Sequence, residues 1–192
     1  MTKEHIKAVA LQLFARRGYA ETSLSDIARQ VGIQKSTIYA HFSSKEELFL
    51  EVFGASLQSY VLYVEELVRQ VADETVERKL YSFLRETSHY YLQHEDDMAL
   101  LKRAMLFPPA PLVDQLRERF LHSEEQTTRV LTSIFEEGLT NGLLRPARVQ
   151  DLLAACYCLN DGLFLQLFYY SYEHFEEKFE SAWRIFWMGI SK

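Results

Sequence analysis

Ile6, Val9, Ala10, Leu13 and Phe14 recur at i, i+3, i+4, i+7 and i+8, which is one face of a helix. The same period runs through almost the whole chain, with no convincing run of strand-like alternation. A chain patterned in this way buries its apolar residues by packing helix on helix, so the expected fold class is all-α. The punctuation is equally regular. Gly18, after Arg16 and Arg17, stops the first helix, and Ser23 opens a second, with Asp26 three residues on as a near capping box. Leu24, Ile27, Ala28 and Val31 face inward, and Gly32 ends that helix. A third helix, from about Gln34 to Ala40, is too short to be stable alone, so Ile33, Ile38 and Phe42 must anchor it on the first two. Ser44 followed by Glu47 is a full capping box that opens the fourth.

Three short helices with a glycine turn before the third match the plan of a helix-turn-helix unit, whose later helix enters the major groove of DNA. With Ile38 toward the core, the ~100° step per residue points Ser36 and Ala40 away, with Lys35 and Tyr39 on one flank and Thr37 and His41 on the other. Small side chains let a helix backbone approach bases, while Thr, Tyr and Lys reach phosphate oxygens. The capped start of the fourth helix adds backbone N–H groups, a partial positive charge and Lys45, an arrangement suited to a phosphate. A polar turn before a capped helix also occurs in helical bundles that bind no nucleic acid.

The net charge of −6 argues against a polyanion partner until it is divided along the chain. Residues 1–45 carry seven Lys/Arg against three acids, whereas the remaining 147 carry 14 basic and 24 acidic residues. This asymmetry suggests a polyanion-facing head on an acidic body, an ordinary solvated surface with an uneven spread of charge being the alternative. A composition of 48% apolar and 14% aromatic residues fills a core and excludes disorder. The start MTKEHIKAVA is charged where a secretory signal is apolar, and LFLQLFYY is short and interrupted by Gln166, so a soluble cytoplasmic protein without a membrane span is expected. Cys156 and Cys158, two apart on a helix, point in different directions and favour neither a disulfide nor a metal pair. His89 and His94 are five apart, and His122 and His174 are isolated. With no Gly-rich phosphate loop and no HExxH, neither catalysis, a metal nor a cofactor is expected.

From Leu13 to Leu48 the sequence LFARRGYAETSLSDIARQVGIQKSTIYAHFSSKEEL resembles the N-terminal DNA-binding domain of TetR-family transcriptional regulators. Phe14, Gly18, Tyr19, Thr22, Ile27, Ala28, Val31, Gly32, Thr37, Ile38, Tyr39, His41, Phe42, Lys45 and Leu48 carry the likeness at fixed offsets. The resemblance implies that Gln34, Lys35 and Ser36 approach bases, and that Thr22, Thr37, Tyr39, His41 and Lys45 hold phosphate or support that contact. It implies a DNA-binding domain over residues 1–46 and a helical ligand-binding and dimerisation domain over 47–192. Base identities do not carry over.

Such a body must join two heads and sense a ligand. A helix from Lys45 toward Val71 would be ~40 Å long and could carry a tilt to the head. Further helical segments read at about 74–92, 95–106, 112–140, 147–171 and 173–190, with breaks at Pro108, Pro109 and Pro111 and at Asn141, Gly142 and Pro146. Phe175, Phe179, Trp183, Phe186 and Ile190 form an aromatic stripe, read as a homodimer interface or as the subunit's own core. Tyr157, Asn160, Asp161, Phe164 and Phe168 share a helix face, and Tyr60, His89, Arg103 and Phe107 are candidates to join them around a small-molecule effector. A dry polar network is the competing reading of the same residues. The expected function is a ligand-responsive regulator, a repressor released from a palindromic operator by a small molecule. An architectural DNA-binding protein without a ligand and a helical small-molecule carrier are the alternatives.

Overall fold

The computed structural model describes residues 3–170 and 172–192. Its helices are α1 (Lys3–Glu21), α2 (Leu24–Val31), α3 (Lys35–Tyr39), α4 (Lys45–Gln70), α5 (Val76–Gln93), α6 (Glu95–Leu106), α7 (Val113–Thr140), α8 (Val149–Tyr169) and α9 (Tyr172–Ile190), with a 3-10 turn at Ala110–Leu112 before α7. The fold is all-α; among the described residues the extended pairing recorded is one isolated bridge, Leu144 with Ser191. The segments read from the sequence correspond to these helices within a few residues, because prolines and glycines mark the breaks. No described helix is long and apolar enough to cross a membrane.

The chain forms two compact units. The first comprises Met1–Tyr60 and His94–Glu124. Its core joins Ile6, Ala10 and Phe14 of α1 to Ile27 of α2, Ile38 of α3, Phe42, Phe53 of α4 and Leu100 of α6, all essentially inaccessible to solvent. Burying Ile38 and Phe42 contributes roughly 1.5–3 kcal/mol each, which is what holds a five-residue helix in place. The unit is larger than residues 1–46 because α1 packs along α6 as well as against α2. Amphipathicity marks the buried face of α1 but not which distant helix covers it.

The second unit comprises Val61–Gln93 and Glu125–Lys192, with α5 packed on α8 and α9, and α8 on α9. Tyr81 of α5 meets Phe179 and Trp183 of α9 edge-on, with ring centres 5.4 and 5.3 Å apart. Arg85 bridges the same two helices through an ion pair to Glu176 at 2.6 Å. The end of α9 is tied to the turn before α8: Arg145 donates from its backbone N–H to the Ile190 carbonyl at 2.8 Å and from Nε to the Ser191 carbonyl at 2.6 Å.

Candidate nucleic-acid interface

The segment from α2 to the start of α4 is built by local chemistry. Ser23 caps α2, its Oγ accepting from the Asp26 N–H at 3.1 Å while its own N–H donates to the Asp26 carboxylate at 3.3 Å. The Ser23 hydroxyl, donating to the Asp26 carboxylate at 2.5 Å, and then the Ser23 N–H, with Arg29 adding its charge, hold Asp26 below the usual carboxylate range. Gly32 then turns the chain in the left-handed region, at φ 79°, and Ile33 N–H closes the helix end on the Ala28 carbonyl at 2.9 Å. The chain enters α3 at once. Ile38 faces the core, while Gln34, Lys35, Ser36, Thr37, Tyr39, Ala40 and His41 are exposed, Tyr39 to 51%. The Lys35 ammonium lies 5.6 Å from the centre of the Tyr39 ring, one turn on. The result is a short helix whose outward face consists of small or hydrogen-bonding side chains.

The first turn of α4 flanks this face. Ser44 Oγ accepts from Glu47 N–H at 3.1 Å, and the Glu47 carboxylate accepts from Ser43 N–H at 2.6 Å, a reciprocal cap displaced by one residue. The helix N-terminus therefore carries its own anions, Glu46 and Glu47. Both lie below the usual carboxylate range, Glu46 chiefly through the Tyr19 hydroxyl and Glu47 chiefly through the Ser43 side chain. The cation of this turn is Lys45, whose half-buried side chain donates to the Tyr19 carbonyl at 2.9 Å and lies 4.0 Å from the centre of the Tyr19 ring. Thr22, expected at or behind a phosphate contact, is 1% exposed, and its hydroxyl donates to the Gly18 carbonyl at 2.8 Å. Its part is to fix the turn between α1 and α2.

In the second unit a hydroxyl-rich network runs between α5, α7 and α8. The Thr87 hydroxyl, fully buried, lies 2.7 Å from the Phe83 carbonyl and 2.9 Å from Asn160 Oδ1, and Asn160 Nδ2 donates to the Tyr91 hydroxyl at 3.1 Å. Phe164 meets Tyr91 edge-on at 4.6 Å, and the Tyr157 hydroxyl is 2.7 Å from that of Thr128. Asp161 stands apart. It is exposed, as are Ala154, Ala155, Cys158 and Leu165 along the same outer face of α8. Partial desolvation raises its carboxyl above the usual value. Cys156, one step inward, is buried and its thiol is pushed up to about 12.

The aromatic stripe of α9 turns inward. Phe175 and Phe179 are 1% and 0% exposed within the subunit, and Trp183 packs on Tyr81. Among the described residues, the large apolar side chains that α9 exposes are instead Ile185 and Met188, at 66% and 60%.

Residues 6–52 match the family model described as bacterial regulatory proteins of the tetR family. Over these residues the chain is similar to the N-terminal domain of the tetR family. Similar proteins include the HTH-type transcriptional regulator AcrR of Shigella flexneri, 26% identical over 139 residues that span 65% of each chain. The HTH-type transcriptional repressor KstR2 of Mycobacterium tuberculosis is 25% identical over 76% of this chain and 70% of its own. The match spans 65% and 37% of the lengths of AcrR and the Bacillus subtilis regulator YerO. Among solved structures, FadR of Bacillus subtilis in complex with stearoyl-CoA shares the fold with a TM-score of 0.77 at 19% identity, over 98% of this chain and all of that one.

The structure brings Gln34, Lys35, Ser36, Thr37, Tyr39 and His41 onto one exposed segment, as read from the sequence, and withdraws Thr22 from it. Of the residues expected around an effector, Tyr157, Asn160, Phe164 and His89 lie in the second unit, whereas Tyr60, Arg103 and Phe107 belong to the first. Asp161 leaves the group for the outer face of α8, and Arg103 packs on Gly18. Phe168 falls where the side chain is not described. Phe175, Phe179 and Trp183 are buried within the subunit, as the second of the two readings of the stripe had it. A stripe at helical spacing has the same sequence whichever chain buries it. Sequence reasoning missed Tyr19 and Glu46 as partners of the Lys45 turn; an aromatic residue 26 positions before a lysine is no local signal.

Proposed function

We propose that the protein is a homodimeric, ligand-responsive DNA-binding regulator of transcription acting in the cytoplasm, a repressor that leaves a palindromic operator when a small molecule binds. The observation that carries the reading is the exposed face of α3, flanked by Lys35 and Lys45, on a head whose core is complete without it. Gln34, Lys35 and Ser36 read base edges, and Thr37, Tyr39, His41 and Lys45 hold phosphates. The functional division remains a DNA-binding head over 1–46 and a sensing and pairing body over 47–192.

The pairing surface is the outer face of α8, where Ala154, Ala155 and Cys158 permit close helix approach, together with Ile185 and Met188 of α9. The sensing site is the α5, α7 and α8 interior around Tyr157, Asn160 and Phe164, with His89 at its margin. An effector that binds the non-operator arrangement of the dimer more tightly shifts the population away from DNA. A coupling of about 1–3 kcal/mol gives several-fold to hundredfold release.

Fluorescence anisotropy of a labelled mixed-sequence duplex across salt concentrations tests the DNA-binding core of this reading. Binding should weaken steeply with salt, with log K against log [salt] steeper than about −2 for Lys45 alone on each of two heads. Salt-independent binding, or none, would overturn it.

A further inference from the structure

Lys45 and Glu46 are consecutive, so they diverge by ~100° around α4 and do not face each other. They nonetheless meet on one residue. The Lys45 ammonium donates to the Tyr19 carbonyl at 2.9 Å and lies 4.0 Å from the centre of the Tyr19 ring, while the Tyr19 hydroxyl donates to the Glu46 carboxylate. The ring itself is fixed by Phe14 and Phe49, with centres 6.4 and 5.1 Å away. The tyrosine is thus gripped on its face by a cation and at its hydroxyl by an anion.

An ammonium has three N–H donors, and the Tyr19 carbonyl takes one, which leaves two for other acceptors. A lysine free of the ring would lose rotamer entropy on meeting a phosphate; one already held loses less. Glu46 is the counterpart hazard. It is exposed and carries a full negative charge, and if released from the hydroxyl it competes for the neighbouring ammonium and repels a phosphate.

We infer that Tyr19 is a positioning residue for DNA binding, holding Lys45 ready for a backbone phosphate and keeping Glu46 away from it. This rests on the proposed DNA-binding function and adds to it a residue that itself need not touch DNA.

The test is anisotropy of a labelled mixed-sequence duplex across a salt series, with the full-length chain and the variants Tyr19→Phe, Glu46→Gln, Lys45→Ala and their pairs. Tyr19→Phe keeps the ring and removes only the hydroxyl. It should weaken binding about fivefold to tenfold at 0.1 M salt and make the salt slope shallower by about one unit per head, the signature of one lost phosphate contact. Adding Glu46→Gln to Tyr19→Phe should restore the slope, and Tyr19→Phe should have no further effect in the Lys45→Ala background. An unchanged slope in Tyr19→Phe, or an equal loss with Lys45 already removed, overturns the inference. Glu46→Gln alone removes no apolar packing and should bind at least as well as the parent; weaker binding also overturns it. If the parent chain binds no duplex, the DNA-binding reading itself fails, whereas a binding parent with an insensitive Tyr19→Phe defeats only the positioning role.

Discussion

The Arg103 guanidinium lies against Gly18: a methyl group built on Gly18 would be 2.6 Å from its nearest nitrogen. Gly18 also has φ 82° and ψ 173°, a conformation essentially restricted to glycine. Gly32 has a similar φ of 79° but nothing within 4 Å of an added carbon. Both glycines are needed for their backbone conformation, and at Gly18 the end of the flexible Arg103 side chain must also move aside. Gly32→Ala should cost about 1–2 kcal/mol and Gly18→Ala about 2–3 kcal/mol or more, read from urea unfolding monitored by circular dichroism. The reverse order would mean that the α1 to α6 contact yields freely.

Lys35 and Lys45 differ in what they face. Lys45→Ala should weaken binding to every duplex and lower the salt slope by about one unit per head, whereas Lys35→Ala should also change base preference within each half-site. Affinities for selected and random duplexes, measured side by side, check this. Equal losses on both for Lys35→Ala would remove that residue from base readout.

Ile185 and Met188 stand outside a subunit that already buries Phe175 and Phe179. Ile185→Glu or Met188→Glu should yield a folded monomer by sedimentation equilibrium, and Phe179→Ala should destabilise the subunit by about 3–5 kcal/mol. Dissociation by Phe179→Ala without loss of stability would return the aromatic stripe to the interface. Cys158 gives an independent reading: its reaction with a thiol reagent should accelerate in the Ile185→Glu monomer, while buried Cys156 stays inert in both.

Asp26, Glu46 and Glu47 are all held below their ordinary values by hydrogen bonds made in the folded head. Such groups stabilise the fold above the unfolded carboxylate value near 4, and the stabilisation is lost as pH falls through the lower folded values. The melting temperature of Asp26→Asn should lie below that of the parent at neutral pH, and the gap should close below about pH 3–4. A gap of constant size would show that Asp26 contributes no charge-dependent capping.

The head was legible in the sequence because its structure is set by neighbours. Ser23 with Asp26, Gly32, and Ser44 with Glu47 stand within four residues of what they cap or turn, and Ile38 and Phe42 are apolar in a polar run. The covering of α1 by α6, and the grip of Lys45 and Glu46 on Tyr19, join residues far apart in the chain and leave no periodic mark. Asp161 shows the same limit at finer scale. Its neighbour Asn160 faces inward and is 5% exposed, and one step of ~100° carries Asp161 to the outer surface. The sequence placed both on a shared face because an acid and an amide at that spacing read alike whether they bond inside or meet solvent.

The most direct test of the account is selection of bound duplexes from a random pool by the full-length protein. The account predicts enrichment of an inverted repeat whose half-site centres lie one helical turn, about 34–36 Å, or a whole multiple apart, as two copies of α3 presented to one duplex require. Enrichment of no sequence, or of a single site without two-fold symmetry, would contradict it.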